Sequence, residues 1–405
     1  MPTEFRATAL AARVNHLRVR RGQGHGDQHS RVTNVELFFD LVFVFAVTQL
    51  SHGLLAHLTV LGALQITVLM FAVWWTWNYT AWATNWLDPD RIAVRLMLFA
   101  LMLTGLVMAA SIPKAFEERA WAFVLAYLVG HIGRSLFMLW ATKNHDQTNF
   151  RNFLRIVAWQ AVAAVFWIAG AFAHGHVRLA LWALAAAIES VGPIMGFHVP
   201  GLGRSSTTDW VIEGSHMAER CALFVIIALG ESILVTGATF AGLAWTAEHT
   251  GAFLVAFAGS IAMWVIYFNI GAERGTRLIA SSADPGRLAR NGYTYLHIVI
   301  VAGIIVAAVG DELVLHHPGG HTDIKTAMVL IGGPALYLVG NALFKRLSAV
   351  YLPLSHLIGL GLLALLILAV PAITPLLLSA AVTAVLMLVA AWDSISLRGS
   401  PNDGA

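Results

Sequence analysis

Glu36 and Asp40 stand four residues apart in a run that is otherwise apolar, so a helix through VELFFDLVFVFAVTQL puts both carboxylates on one face. Two acids so placed can form an acidic entrance or a proton site near the start of a membrane helix. The same spacing suits helix capping, or pairing with arginines at the membrane surface. Glu231 has the stronger claim to chemistry. It follows Glu219 and Arg220 in the run ERCALFVIIALGES, and a 12-residue step from Glu219 sets it about 18 Å further along the helix. An acid at that depth costs on the order of 2.5–3.5 kcal/mol by insertion scales, so it is protonated, paired or used. Arg134, which shares a turn with His131, is the cation expected to meet it, and Glu189 is a second buried acid of the same kind. A Glu–Arg pair can pin two helices, or it can bind a proton or a substrate, and both readings remain open at this level.

Aromatic and imidazole groups form a second set. The stretch WWTWNYTAWATNW holds Trp74, Trp75 and Trp77 deep in a span, next to Asn78, while Trp82 and Trp86 are expected in the interfacial aromatic belt. The deep tryptophans can pack against neighbours, or they can line a pocket for a flat, cationic or isoprenoid ligand. His131, His297 and His356 lie within apolar runs and read more readily as interhelix hydrogen-bond partners than as metal ligands. The stretch HHPGGHTD (316–323) does not have zinc spacing, so no metal is expected there. Asp88-Pro89 and Asp284-Pro285 read as helix N-caps followed by proline at the first helical position. No phosphate loop, dinucleotide fingerprint, catalytic triad signature or HExxH occurs, so no cofactor is expected and an ATP-driven pump is disfavoured.

These residues are carried by apolar segments. Of 405 residues, 58% are hydrophobic and 12% charged, against about 25% charged in soluble domains. Cys221 is the lone cysteine, which excludes an internal disulfide. Twelve stretches long enough to span a bilayer are expected, at roughly 35–57, 60–84, 92–112, 119–141, 151–173, 178–197, 216–238, 251–271, 291–311, 325–343, 347–369 and 371–392. With the N-terminus inside, the inner segments hold 19 Lys and Arg and the outer loops four. That bias places both termini in the cytoplasm and assigns the basic pI to membrane topology rather than nucleic-acid binding.

Three pairs of short matches occur in the same order in the two halves: LDPDRIAVR with ADPGRLAR, AYLVGH with LYLVGN, and LVFVFAVTQL with LFVIIALGES. The last places Gln49 opposite Glu231. The expected architecture is therefore an all-α polytopic membrane protein of about 12 transmembrane helices. It has two parallel six-helix repeats (34–197 and 216–392), a cytoplasmic linker (198–215), a basic N-terminal segment (1–33) expected to be disordered and a cytoplasmic tail (393–405).

The opening VELFFDLVFVFAVTQLSHGL, the Trp-rich second span and the later ERCALFVIIALGESILVTG together resemble the bacterial low temperature requirement A (LtrA) family. Matching positions include Glu36, Phe38, Phe39, Asp40, Glu219, Arg220, Gly230, Glu231 and Ser232. The resemblance covers about residues 31–392. It implies a multi-pass protein of the bacterial inner membrane linked to growth in the cold, and it brings no reaction or substrate with it. Two readings lead, ahead of a third, a membrane-embedded sensor or scaffold. The first is a secondary transporter or channel-like protein with buried carboxylates at a repeat interface, centred on Gln49, Glu231, Arg134, His131 and Asp40. The second is an intramembrane enzyme acting on a lipid or isoprenoid through buried acids and a Trp-rich pocket. Membrane lipids are the expected partners in both, with an unidentified solute, ion or lipid as substrate.

Overall fold

The computed structural model describes residues 32–144, 146–210, 212–269, 284–348 and 352–398. Twelve helices among them are long and apolar enough to cross a membrane. They are α1 (Asn34–Ala56), α2 (Val60–Trp86), α3 (Ile92–Ser111), α4 (Ala120–Thr142), α5 (Gln147–Phe172), α6 (Gly175–Ile194), α7 (Gly214–Gly242), α8 (Ala247–Phe268), α9 (Gly286–His316), α10 (Ile324–Ser348), α11 (Leu354–Leu366) and α12 (Pro375–Arg398). Short 3-10 turns extend α3 over Ile112–Lys114 and α11 over Ile367–Ala372, and α9 includes a π-helical stretch at Arg290–Leu296. In hydrocarbon every backbone N–H and C=O must be satisfied within the segment, and helices achieve that.

Helix starts are set by short polar side chains. Thr59, Asp146, Thr246 and Asp284 accept backbone N–H groups at the openings of α2, α5, α8 and α9. Asp323 does the same for α10, through Lys325 and Thr326. The expected cap at Asp284 is therefore present. Asp88 is not the cap of α3, because Arg91 occupies that position. Asp88 instead closes the preceding turn by accepting from the Asp90 N–H and from Arg91 Nε.

Of the described residues, 32–53, 59–220 and 284–290 form one compact unit, and 54–58, 221–269 and 291–398 form another. The boundaries fall within α1, α7 and α9. In the first unit α2 packs on α3, α4 and α6, while α3–α4, α4–α5 and α5–α6 are neighbours. Gly130 on α4 lets Thr104 and Leu101 of α3 approach closely. In the second unit α8 packs on α9, α10 and α12, with α9–α10, α10–α11 and α11–α12 as neighbours. There α9 and α10 meet backbone to backbone, Gly303 against Tyr337 and Gly333 against Ala307.

The segment 198–215 is folded onto the first unit. Arg155 donates to the Leu202 carbonyl, Ser205 donates to Asn152, and Trp210 packs on Trp82, Trp86 and Phe153. It begins where Gly196 adopts φ +61°, with its Cα pressed against the Ser205 carbonyl so that a side chain there would collide. The tail expected from 393 onward is helical as far as Arg398, and Asp393 is buried. The basic segment expected at 1–33 lies outside the described residues, apart from Val32 and Thr33.

Candidate functional site

Ionisable side chains gather in the first unit as two clusters that share α2. The first joins α1, α2 and the opening turns of α7. Glu36 and Asp40 lie on one face of α1, and His216 and Arg220 are likewise four residues apart at the start of α7. The two pairs match in register. His216 Nε2 lies 2.8 Å from Glu36 Oε1, and Arg220 Nη1 donates to Asp40 Oδ2 at 2.8 Å. Arg220 Nη1 also donates to the Glu36 carbonyl, and Trp77 Nε1 donates to Asp40 Oδ1 at 2.8 Å. The Arg220 guanidinium lies over the rings of Trp77 and Phe39. Glu36, Asp40, Trp77, His216 and Arg220 are each at most 2% exposed. Glu36 accepts the Thr33 N–H and hydroxyl as a helix-start residue, and it is also paired with His216.

The protonation of His216 follows from its neighbours. The Glu213 N–H donates to Asn85 Oδ1, which orients that amide. Asn85 Nδ2 then faces the Glu213 carbonyl and His216 Nδ1. An amide NH2 only donates, so His216 Nδ1 accepts and its proton sits on Nε2, directed at Glu36.

The second cluster joins α2, α4, α5 and α6. Tyr127, His131 and Arg134 occupy one stripe of α4, about 10 Å long at 1.5 Å per residue. Arg134 donates to the Thr76 carbonyl, to Thr80 Oγ1 and to His131, and lies 5.1 Å from the Tyr79 ring centre. Tyr127 donates to Glu189 Oε2 at 2.6 Å, and Trp167 Nε1 approaches the same oxygen at 3.4 Å. Glu189 Oε1 faces His131 Nε2 at 3.4 Å. Thr76 and Trp77 are consecutive, so one turn of α2 touches both clusters.

The remaining sequence candidates are placed as follows. Asn78 is buried beside Trp77, and Gln49 is half-buried further along α1. Glu219 is exposed and accepts the Val32 N–H. Glu231 and Ser232 are fully buried in the second unit. Arg134 finds its hydrogen-bond partners within its own unit, on α2 and α4. Trp74, Trp75 and Trp77 are buried, Trp74 in ring contact with Trp77 and Trp75 with Phe71 and Tyr79, and Trp82 and Trp86 are half-buried against Trp210. His297 bridges Tyr267 and the Gly292 carbonyl, and His356 lies among Lys345, Ser355 and Asp393. Among the described residues no group of three potential ligands could hold a metal ion.

Sequence reasoning missed His216, Asn85 and Tyr127. For His216 a signal existed, since its spacing from Arg220 repeats that of Glu36 from Asp40. Outside the spans, burial pushes the Asp284 carboxyl up. The Thr207 hydroxyl, the Arg287 N–H and the charges of Arg287 and Arg290 outweigh that and hold it below its ordinary value.

The motif at the start of α1 and the Glu-Arg pair of α7 are thus one assembled structure. Residues 31–391 match the family model described as bacterial low temperature requirement A protein (LtrA). The chain belongs to the LtrA family. It is also 39% identical over 364 residues to an uncharacterized protein of Rhizobium meliloti (strain 1021), covering 90% of this chain and 89% of that one. No solved structure matches. In this LtrA-family chain the acids of the opening motif, Glu36 and Asp40, meet His216 and Arg220 of α7 and Trp77 of α2. Each side chain is buried, and each acid oxygen meets a donor from another residue.

Proposed function

We propose that this LtrA-family membrane protein is a secondary transporter or channel-like protein of the bacterial inner membrane, and that the buried acid–base clusters of its first unit serve ion or solute movement. The observation carrying this reading is the succession Glu36–His216, Asp40–Arg220, Trp77, Arg134, His131 and Glu189, all buried and distributed over α1, α2, α4, α6 and α7. Intramembrane ionisable residues are costly and rare, face the interior, pair with one another and mark ion and proton pathways. Pinning helices together would need one such pair, whereas here two clusters meet at a single turn of α2.

The duplicated architecture with both termini in the cytoplasm belongs to the same proposal. It is supported by the neighbour order, which is the same in α2–α6 as in α8–α12. It is supported again by matched contacts, since Gly130 of AYLVGH packs on α3 and Gly340 of LYLVGN packs on α9. The family description adds an association with growth at low temperature. Lipid or isoprenoid chemistry has less support, because the deep tryptophans are buried against other aromatic rings and the Trp77 N–H is committed to Asp40.

The test is flux in proteoliposomes, with protons, sodium and potassium assayed in turn. Wild-type protein is expected to pass at least one of them, and Asp40→Asn and Glu189→Gln are expected to abolish that flux while the protein remains folded. Flux unchanged in both variants would refute the assignment of these clusters to transport.

A further inference from the structure

Among the described residues, the four buried histidines that contact acids, tyrosine or lysine differ in one respect. His297 has both nitrogens satisfied, Nδ1 on the Gly292 carbonyl and Nε2 on the Tyr267 hydroxyl. His356 has Lys345 at Nε2 and Ser355 at Nδ1, and Ser355 and Lys345 both donate to Asp393, which closes a ring of contacts. His216 is held between Asn85 and Glu36. His131 is the exception. Its Nε2 and the opposing Glu189 Oε1 are buried and have no hydrogen-bond partner, although they face each other at 3.4 Å. A buried polar atom left unmade requires an explanation, and here a donor and an acceptor are both left unmade across one gap.

The chemistry of that gap narrows what it can bind. Arg134 Nη2 lies 3.0 Å from His131 Nδ1. A guanidinium has no lone pair to offer, so Nδ1 accepts and the ring proton is on Nε2. A metal ion would need a nitrogen lone pair facing Glu189, and that nitrogen is protonated. At 3.4 Å no heavy atom fits between the two groups. Glu189 Oε2 is already engaged by Tyr127 and Trp167. The ligand with the right size and chemistry is a proton, and the free position for it is Oε1.

We infer that the Glu189–His131 pair is a proton-binding site whose occupancy is coupled to the bond between Arg134 and His131. This deepens the transport reading above by naming the ion. One proton from the aqueous phase adds to the pair: the Nε2–H bond breaks as its proton passes to Oε1, the incoming proton bonds to Nδ1, and no bond between heavy atoms changes. When Glu189 carries the proton on Oε1 and donates it to Nε2, the neutral ring must hold its own proton on Nδ1. Arg134 Nη2 then cannot donate to Nδ1 and retains the His131 carbonyl as its acceptor, while Nη1 stays on Thr76 and Thr80 of α2. Proton uptake on α6 thus switches a contact of the residue that ties α4 to α2. The titratable and charged groups facing this site are Tyr127, His131 and Arg134 on α4 and Tyr79 on α2. From α5 it is faced by Trp167, and Gln160 lies two turns away on the same buried face, with neither amide atom bonded.

The experiment uses the full chain in lipid nanodiscs through a series of pH steps. Infrared difference spectra with carbon-13-labelled glutamate are expected to show a carboxyl band of a group shielded from water that appears as pH falls and is lost in Glu189→Gln. Nitrogen-15 spectra of wild-type protein with labelled histidine give a second readout that needs no variant. One ring is expected to move from the Nε2–H to the Nδ1–H form over the same pH interval. Absence of the Glu189-dependent band, an unchanged tautomer, or formation of a doubly protonated ring would each overturn the proposal. Proton flux in vesicles separates the two claims. Band and tautomer change without flux would keep the site and remove transport, whereas flux without them would keep transport and remove this site.

Discussion

Breaking the Asp40–Arg220 pair tests the energetics of the first cluster directly. The contact is 2.8 Å long and both side chains are at most 2% exposed. Charges about 4 Å apart interact by about 4 kcal/mol at an effective dielectric near 20. Removing one partner of a buried pair typically costs about 3–5 kcal/mol, because the other is left uncompensated. The two single changes differ in what they leave behind. Asp40→Asn leaves Arg220 beside Glu36, which still carries opposite charge. Arg220→Met leaves two carboxylates, four residues apart on α1, with Trp77, Thr33 and His216 as their donors among the described residues. Arg220→Met is therefore expected to cost more, toward the upper end of that range. The double variant removes both members and should be more stable than the sum of the singles implies, with a coupling of about 2 kcal/mol, inside the 0.5–3 kcal/mol seen for residues in contact. Equilibrium unfolding of the four proteins in one lipid environment provides the cycle. Additivity within about 0.5 kcal/mol would refute the reasoning, since independent sites behave that way.

Three further outcomes follow from the same structure. Trp77→Phe keeps an aromatic ring beneath Arg220 but removes the N–H on Asp40, so a loss of about 1.5–3 kcal/mol is expected, read by the same unfolding assay. Gly332 and Gly333 are adjacent on α10, but only Gly333 meets α9, where an added Cβ would lie 2.5 Å from the Ala307 nitrogen. Gly333→Ala should destabilise by at least about 1–3 kcal/mol, because backbone cannot move aside as a side chain can, while Gly332→Ala should be neutral or gain up to about 1 kcal/mol. Asp323 caps α10, and its hydrogen bond from the Thr326 hydroxyl is the main reason its carboxyl sits below the ordinary value. A depressed carboxyl contributes stability that is complete above its unfolded pKa and is lost as pH falls through the folded one. Asp323→Ala should thus cost about 0.5–2 kcal/mol at neutral pH and progressively less in acid, checked by thermal unfolding across pH.

The membrane architecture was legible in the residues because its cause is local. A bilayer demands about 20 apolar residues per crossing, and that demand is met one segment at a time. The twelve helices accordingly fall within a few residues of the expected spans, with α11 starting later than expected, at Leu354. The Asp284 cap was readable for the same reason. The role of 198–215 was not, because its polar composition is what a linker also has. Its fold depends on Arg155 and Asn152, some 50 residues earlier, finding Leu202 and Ser205.

Residue type and spacing alone identified the buried candidates Glu36, Asp40, Arg134, Glu189, Arg220 and Glu231, since a charge amid apolar neighbours stands out whatever the fold. Which candidates meet was decided by tertiary structure. Glu36 and His216 are 180 residues apart, as are Asp40 and Arg220, while Tyr127 and Glu189 are separated by 62. A helix fixes the angle at which each side chain leaves its axis, so four-residue pairs are visible in sequence. It does not fix which helix stands opposite, or at what height. That is set by packing, as where α3 closes on Gly130 of α4, and only there does a histidine acquire the neighbours that determine which nitrogen holds its proton.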